Sequence, residues 1–112
     1  MAAFVPERGD LIWLTFDPQA GHEQAGRRPA LVLSPRAYNQ KSGLALVCPI
    51  TSQVKGYPFE VLVEEACGVA GVVLADQVRS LDGKARRAER IGGLSTAAWE
   101  EVLARIAPLL GF

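Results

Sequence analysis

Apolar residues in this chain recur in short blocks separated by glycine and proline, the pattern of a small, mainly β protein with one amphipathic helix at its end. Residues 10–16 are rich in strand formers, whereas Asp17 and Pro18 followed by Gly21 and Gly26 predict a long loop. Residues 29–33 read as a short, nearly continuous apolar strand. Ser34 then offers an N-cap, Pro35 a first helical position and Gly43 a stop, which predicts a short helix carrying Arg36, Tyr38, Asn39 and Lys41. Residues 44–50 are apolar throughout, so this third strand is expected to be covered on both faces. Val54 to Pro58 form the next turn; residues 59–64 alternate weakly, 71–75 look buried, and 77–81 alternate with period two. About five or six short strands in so small a chain suggest a barrel or tightly curled sheet, an α+β class dominated by β structure.

The terminal helix has its own signals. Ser95 is the expected N-cap, and Leu94 is spaced to staple onto Trp99. Trp99, Val102, Leu103, Ile106 and Leu110 share a predicted apolar face, so the helix reads as a lid on the sheet. Pro108 has no backbone N–H to donate, which predicts that regular helix fails near Ala107. With no linker or repeat in view, residues 1–112 read as a single domain.

Composition narrows the class. A chain of 112 residues can bury roughly two-thirds of its unfolded surface. Its apolar content of 49% and charged content of 21% are ordinary for a globular protein, and no apolar run approaches the ~18 residues of a membrane span. Met1 to Glu7 lack a cationic segment followed by an apolar one, so a cytoplasmic protein is expected. Cys48 and Cys67 lack the close spacing of metal or redox sites and read as packing residues. With His22 the single histidine and no clustered ligands, a metal enzyme is disfavoured and no cofactor is expected. Net charge is zero, yet the signs are uneven: Arg27, Arg28, Arg36, Lys41 and Lys55 precede the lone acid Glu60, and Arg79, Lys84, Arg86, Arg87 and Arg90 outnumber Asp82 and Glu89. A cationic face for a polyanion is compatible with that distribution, as is ordinary solvated charge.

The stretch from Gly21 to Ser34 places a guanidinium, Arg28, where a glycine-rich loop becomes a strand. The third strand delivers Thr51 and Ser52 to its own end, so a hydroxyl and an arginine can meet over one phosphate. Metal-free cleavage of RNA proceeds by attack of the ribose 2′-OH, and the crowded phosphorane needs fixed positive dipoles. Arg28 can supply a two-pronged contact to its oxygens, or simply pair with Glu23; Thr51 can donate to the same oxygens, or serve the strand end alone. Glu23 can orient Arg28 or take a proton, and His22 titrates in a suitable range. Lys55, Tyr57 and Phe59 offer a cation and stackable rings for single-stranded bases. Asp76 and Gln77 can read base edges or hold a turn; Trp13 and Trp99 sit in apolar patterns and read as core.

Taken together, Gly9-Asp10-Leu11-Ile12-Trp13, the run from Gly21-His22-Glu23-Gln24-Ala25-Gly26-Arg27-Arg28-Pro29 to Ser34, Pro49-Ile50-Thr51-Ser52 and Leu74-Ala75-Asp76-Gln77-Val78 resemble the MazF/PemK family of toxin endoribonucleases. Lys55-Gly56-Tyr57-Pro58-Phe59-Glu60 lies between them, so the resemblance spans nearly the whole chain. It implies a Src-homology-3-like barrel with a C-terminal helix, a homodimer binding single-stranded mRNA, and a cognate antitoxin whose flexible acidic C-terminal segment covers the RNA channel. Cleavage at short sequence motifs would leave a 2′,3′-cyclic phosphate and a 5′-hydroxyl and arrest growth. The family's catalytic residues fall on Arg28, Thr51 and Glu23, and RNA contacts are expected from Gln24, Arg27, Ser52, Lys55, Tyr57, Phe59, Asp76 and Gln77. His22 stands where the family often has serine and inherits no role. A guanidinium keeps its proton above pH ~12, so charge stabilisation suits Arg28 better than acid–base work. Two rivals remain on fold grounds: a noncatalytic toxin that poisons gyrase, and a plain RNA- or peptide-binding module.

Overall fold

In the computed structural model, which describes residues 4–16, 26–63 and 68–112, the apolar blocks become strands of a single curled antiparallel sheet. The elements in chain order are β1 (Asp10–Thr15), β2 (Arg27–Val32), α1 (Arg36–Ser42), β3 (Ala45–Thr51), β4 (Glu60–Val63), β5 (Gly71–Leu74), β6 (Arg79–Leu81), β7 (Glu89–Gly93) and α2 (Thr96–Leu110). The expected loop with His22, Glu23 and Gln24, and also Cys67, lie outside the described residues.

β3 is the spine. One of its edges pairs with β2, and the other is shared end to end by β6, opposite Ala45 to Val47, and β5, opposite Ile50 and Thr51. The strand order β4-β5-β3-β2-β1-β7 curls into a half-barrel, with β6 joined to β3 beside that path. Both faces of the central strands are covered, as their unbroken apolar runs require. Leu11, Leu31, Cys48 and Ile50 enter a core closed by Val102 and Ile106 of α2, whereas Ile12, Leu14, Ala30, Val32, Ala45 and Val47 enter a second core on the opposite face. Each such fully buried aliphatic side chain contributes roughly 1.5–3 kcal/mol. Cys48 is one of these packing residues, and burial, helped by the charge of Asp76, pushes its thiol up to about 12.

β7 is the strand that hydrophobic pattern does not announce. Glu89, Arg90, Gly92 and Gly93 carry little apolar signal, and the segment becomes a strand because β1 offers it an open edge. The pairing shifts register between Leu11 and Ile12, a bulge that glycines tolerate. Asp10 secures this junction: its buried carboxylate accepts from Arg90 Nε at 3.0 Å and from the Glu7 backbone N–H at 2.9 Å.

Two expectations for the terminal helix need correction. α2 runs through Pro108 to Leu110, because a proline in the last turn removes only one donor and Gly111, at φ 89°, closes the end. The Phe112 N–H then donates to the Ala107 carbonyl at 2.9 Å. The buried stripe is also narrower than predicted, formed by Ala98, Val102 and Ile106, while Leu103 and Leu110 are exposed. The start agrees: Ser95 Oγ accepts from the Ala98 N–H, and Leu94 and Trp99 both pack against the α2-side core.

At α1 the N-cap position is Pro35, not Ser34. Ser34 is buried and committed elsewhere: its Oγ donates to Asn39 Oδ1 and accepts from the Leu46 N–H at 2.9 Å. The first amide of α1 is served instead by a carboxylate from far along the chain, since the Arg36 N–H donates to Glu7 Oε1 at 3.0 Å and the Arg8 N–H to the same oxygen at 2.8 Å. These two amides, Arg36 first, hold the Glu7 carboxyl below its ordinary range. A depressed pKa means that the contribution is present above the unfolded-state value and is lost as pH falls through the folded one. Glu7→Gln is therefore expected to lower the thermal midpoint at neutral pH and to converge on the parent protein under acid, as followed by circular dichroism melts.

Candidate active site

Antiparallel pairing brings the C-terminal ends of β1 and β3 and the N-terminal end of β2 to one end of the sheet. The β2–β3 ladder runs Val32↔Val47, Leu31↔Cys48, Ala30↔Pro49. Carried two positions further, the same register sets Arg28 opposite Thr51, with side chains on the same face because strand periodicity is two. Both residues line a single cleft of about 640 Å³, together with Trp13, Pro29, Ser52 and Gln53. Ile50 and the segment Gly68, Val69 and Ala70 complete it. Two side chains far apart in sequence thus meet in one concavity, and Ser52 joins them.

Local bonds shape the Thr51 end. Thr51 Oγ1 accepts from the Gln53 N–H at 3.1 Å, so the hydroxyl hydrogen is not used in that bond and can be donated to a ligand. Behind it, β5 passes unusually close. A Cβ on Gly71 would stand 2.2 Å from the Thr51 carbonyl oxygen, and its φ of 130° lies where other residues are strained. Gly71 thereby allows the backbone contact that seats Thr51.

Arg27 has a different fate from its neighbour. It is paired with Thr15, and its guanidinium donates to Thr15 Oγ1 at 2.9 Å, to the Arg87 carbonyl at 2.6 Å and to Glu89 Oε1 at 3.0 Å. Those contacts staple β1 and β2 to β7 and its preceding turn. Arg87 holds the turn with a left-handed φ of 58°.

Among the described residues, the remaining expected binders are not gathered into the cleft. Lys55 and Tyr57 stand exposed on the β3–β4 connection, which continues from Ser52 and Gln53. Glu60 braces that connection, its carboxylate accepting from the Lys55 N–H and, at 2.9 Å, from the Gly56 N–H. Phe59 is only partly exposed, and its carbonyl accepts from the Ala75 N–H at 3.0 Å. Asp76 and Gln77 occupy the β5–β6 turn, where the Gln77 N–H donates to the Leu74 carbonyl at 3.0 Å, and neither lines the cleft.

Trp13 is the residue that pattern reading misassigned. It shares a face of β1 with fully buried Leu11, which is why alternation places it in the core, yet it is 37% exposed and forms a wall of the cleft. The core simply ends before reaching it. Trp99, by contrast, packs against the α2-side core as expected.

Comparison with known proteins places these features in a family. Residues 7–110 match the family described as PemK-like, MazF-like toxin of type II toxin-antitoxin system. The chain is 49% identical over 113 aligned residues to the endoribonuclease toxin MazF of Escherichia coli K12, covering 99% of each protein. It is 47% identical to the endoribonuclease toxin ChpB of the same strain, covering 89% of this chain and 90% of that one. A crystal structure of MazE-MazF from Deinococcus radiodurans superposes with a TM-score of 0.89 at 53% identity, covering 97% of this chain and 99% of that one.

The close approach at Gly71 yields a direct expectation. Gly71→Ala should destabilise the protein by roughly 1–3 kcal/mol, measured by urea denaturation, because the methyl group collides with backbone rather than with a yielding side chain.

Proposed function

The chain belongs to the PemK-like, MazF-like toxin family of type II toxin-antitoxin systems and is an endoribonuclease toxin; from that premise we propose that it cuts single-stranded mRNA without a metal ion, by attack of a ribose 2′-OH on the adjacent phosphorus. The observation that carries the proposal is the cleft shared by Arg28 and Thr51. In the proposed reaction the O2′–P bond forms as the P–O5′ bond breaks. The 2′-OH proton leaves to a base, the departing O5′ gains a proton, and a 2′,3′-cyclic phosphate and a 5′-hydroxyl result. Arg28 is assigned to the two non-bridging oxygens, where a guanidinium fork matches the geometry and the growing negative charge. Thr51 donates its hydroxyl to the same group, Ser52 extends the polar rim, and Glu23 is proposed as the third catalytic residue. This donor set supplies charge stabilisation from guanidinium and hydroxyl groups alone, which is what a metal-independent route requires.

Flanking nucleotides would run over the exposed β3–β4 connection, where Lys55 can meet phosphate and Tyr57 can stack. The matched MazE-MazF structures support a cognate antitoxin as partner. We assign it a flexible acidic C-terminal segment that competes with RNA for the cleft, and assign the toxin itself a homodimeric state. Among the described residues no helix is long and apolar enough to cross a membrane, and an mRNA substrate places the action in the cytoplasm.

Incubating the purified protein with single-stranded RNA in EDTA tests the proposal. Cleavage is expected to persist in EDTA, and the upstream product is expected to resist polyadenylation until its cyclic phosphate is removed. Arg28→Ala should lower the single-turnover rate by roughly 10²- to 10³-fold while the fold survives. A near-normal rate in a folded Arg28→Ala protein would remove the assignment, and intact RNA alongside blocked DNA supercoiling would indicate the gyrase poison instead.

A further inference from the structure

We propose that Trp13 is the stacking platform for the nucleobase next to the scissile phosphate, which makes the β1 end of the cleft a base-binding subsite. The inference rests on the ribonuclease reading above and extends it to a residue whose apolar pattern reads as core.

The cleft is two-sided in chemistry. Arg28, Thr51, Ser52 and Gln53 form a polar rim, whereas Trp13, Pro29, Ile50 and Val69 form an apolar wall. A nucleotide has the same division, a charged phosphate joined to a flat ring system. Its volume of about 640 Å³ lies in the range of small-molecule sites and is ample for one nucleotide unit. Trp13 is directly opposite Pro29 in the β1–β2 ladder, one step along from the Leu14↔Arg28 pair. Adjacent strands lie ~4.8 Å apart and rise ~3.3 Å per residue, so the Trp13 and Arg28 backbones are about 6 Å apart. Successive side chains alternate faces, so it is not the ladder but the cleft, lined by both residues at the strand ends, that brings the indole and a phosphate on Arg28 to one concavity.

The ring is also well supported. Its nearest neighbour on the same face toward the strand end, Thr15, is bonded to the Arg27 guanidinium, which is itself anchored by Glu89 and the Arg87 carbonyl. On the other side Leu11 is fully buried. A large aromatic fixed on a rigid strand, partly exposed and beside an anion-binding group, is preorganised for stacking and loses little entropy on binding. Trp99, by comparison, is partly buried against the α2-side core.

The test uses short oligoribonucleotides carrying one cleavage site, and a second set with a 2′-deoxy residue at the attacking position so that binding is read without cleavage. In a Trp99→Phe protein the remaining indole reports Trp13 alone, since the chain has two tryptophans. Binding of the 2′-deoxy oligonucleotide should quench and shift its fluorescence, and an abasic residue beside the scissile phosphate should abolish that signal. Trp13→Ala should raise KM by roughly 5- to 100-fold with kcat changed only a few-fold, and Trp13→Phe should restore most of the binding. The abasic penalty seen with the parent protein should disappear in Trp13→Ala. An unchanged KM, or an abasic penalty that persists in full without the indole, would overturn the proposal. So would normal RNA binding by Trp13→Ala combined with weakened binding of an acidic antitoxin peptide, which would assign the ring to the antitoxin. Arg28→Ala serves as the separate control: loss of cleavage there with a silent Trp13→Ala leaves the ribonuclease reading intact and removes only the subsite.

Discussion

The register between β2 and β3 is the constraint on which the rest of the structure depends. Side chains alternate along a strand, so a slip of one residue would turn Arg28 or Thr51 to the wrong face and exchange the buried sets of both cores. The two-faced burial of β2 and β3 makes that slip costly: Leu31 and Cys48 belong to one core, while Ala30, Val32 and Val47 belong to the other. The apolar residues that stabilise the sheet therefore also hold the polar pair in place at its end. Stability and the geometry of the cleft share one ladder.

The same arrangement explains why neighbouring arginines diverge. Arg27 and Arg28 are adjacent in sequence, but they project to opposite faces at a strand end. One guanidinium spans β1, the Arg87 carbonyl and Glu89, and the other lines the cleft. Sequence-level charge counting could not separate them. Gly71 completes the scaffold from the opposite edge of β3, where the absence of a side chain lets β5 press against the Thr51 backbone.

Acidic groups do comparable structural work away from the cleft. Asp10 joins the N-terminal segment to β7, Glu7 serves the first amides of α1, and Glu60 braces the connection bearing Lys55 and Tyr57. Each of these carboxylates accepts from backbone N–H groups, Asp10 and Glu60 from within five residues and Glu7 from as far along the chain as Arg36.

Strand blocks, the Ser95 cap, the two-faced burial of β3 and the association of Arg28 with Thr51 were all legible in the chain, because each is written as local periodicity or as a motif in fixed order. β7, the Glu7 carboxylate at α1, the passage of α2 through Pro108 and the exposure of Trp13 were not. A glycine-rich segment becomes a strand only when an unpaired edge is beside it, and an aromatic at an apolar position is core only if something covers it. Composition and order thus determined which residues prefer the interior and which could carry chemistry. The curl of the sheet decided where the interior ends, and so which of those side chains face the cleft, because burial and pairing are properties of the assembled fold rather than of any local stretch of chain.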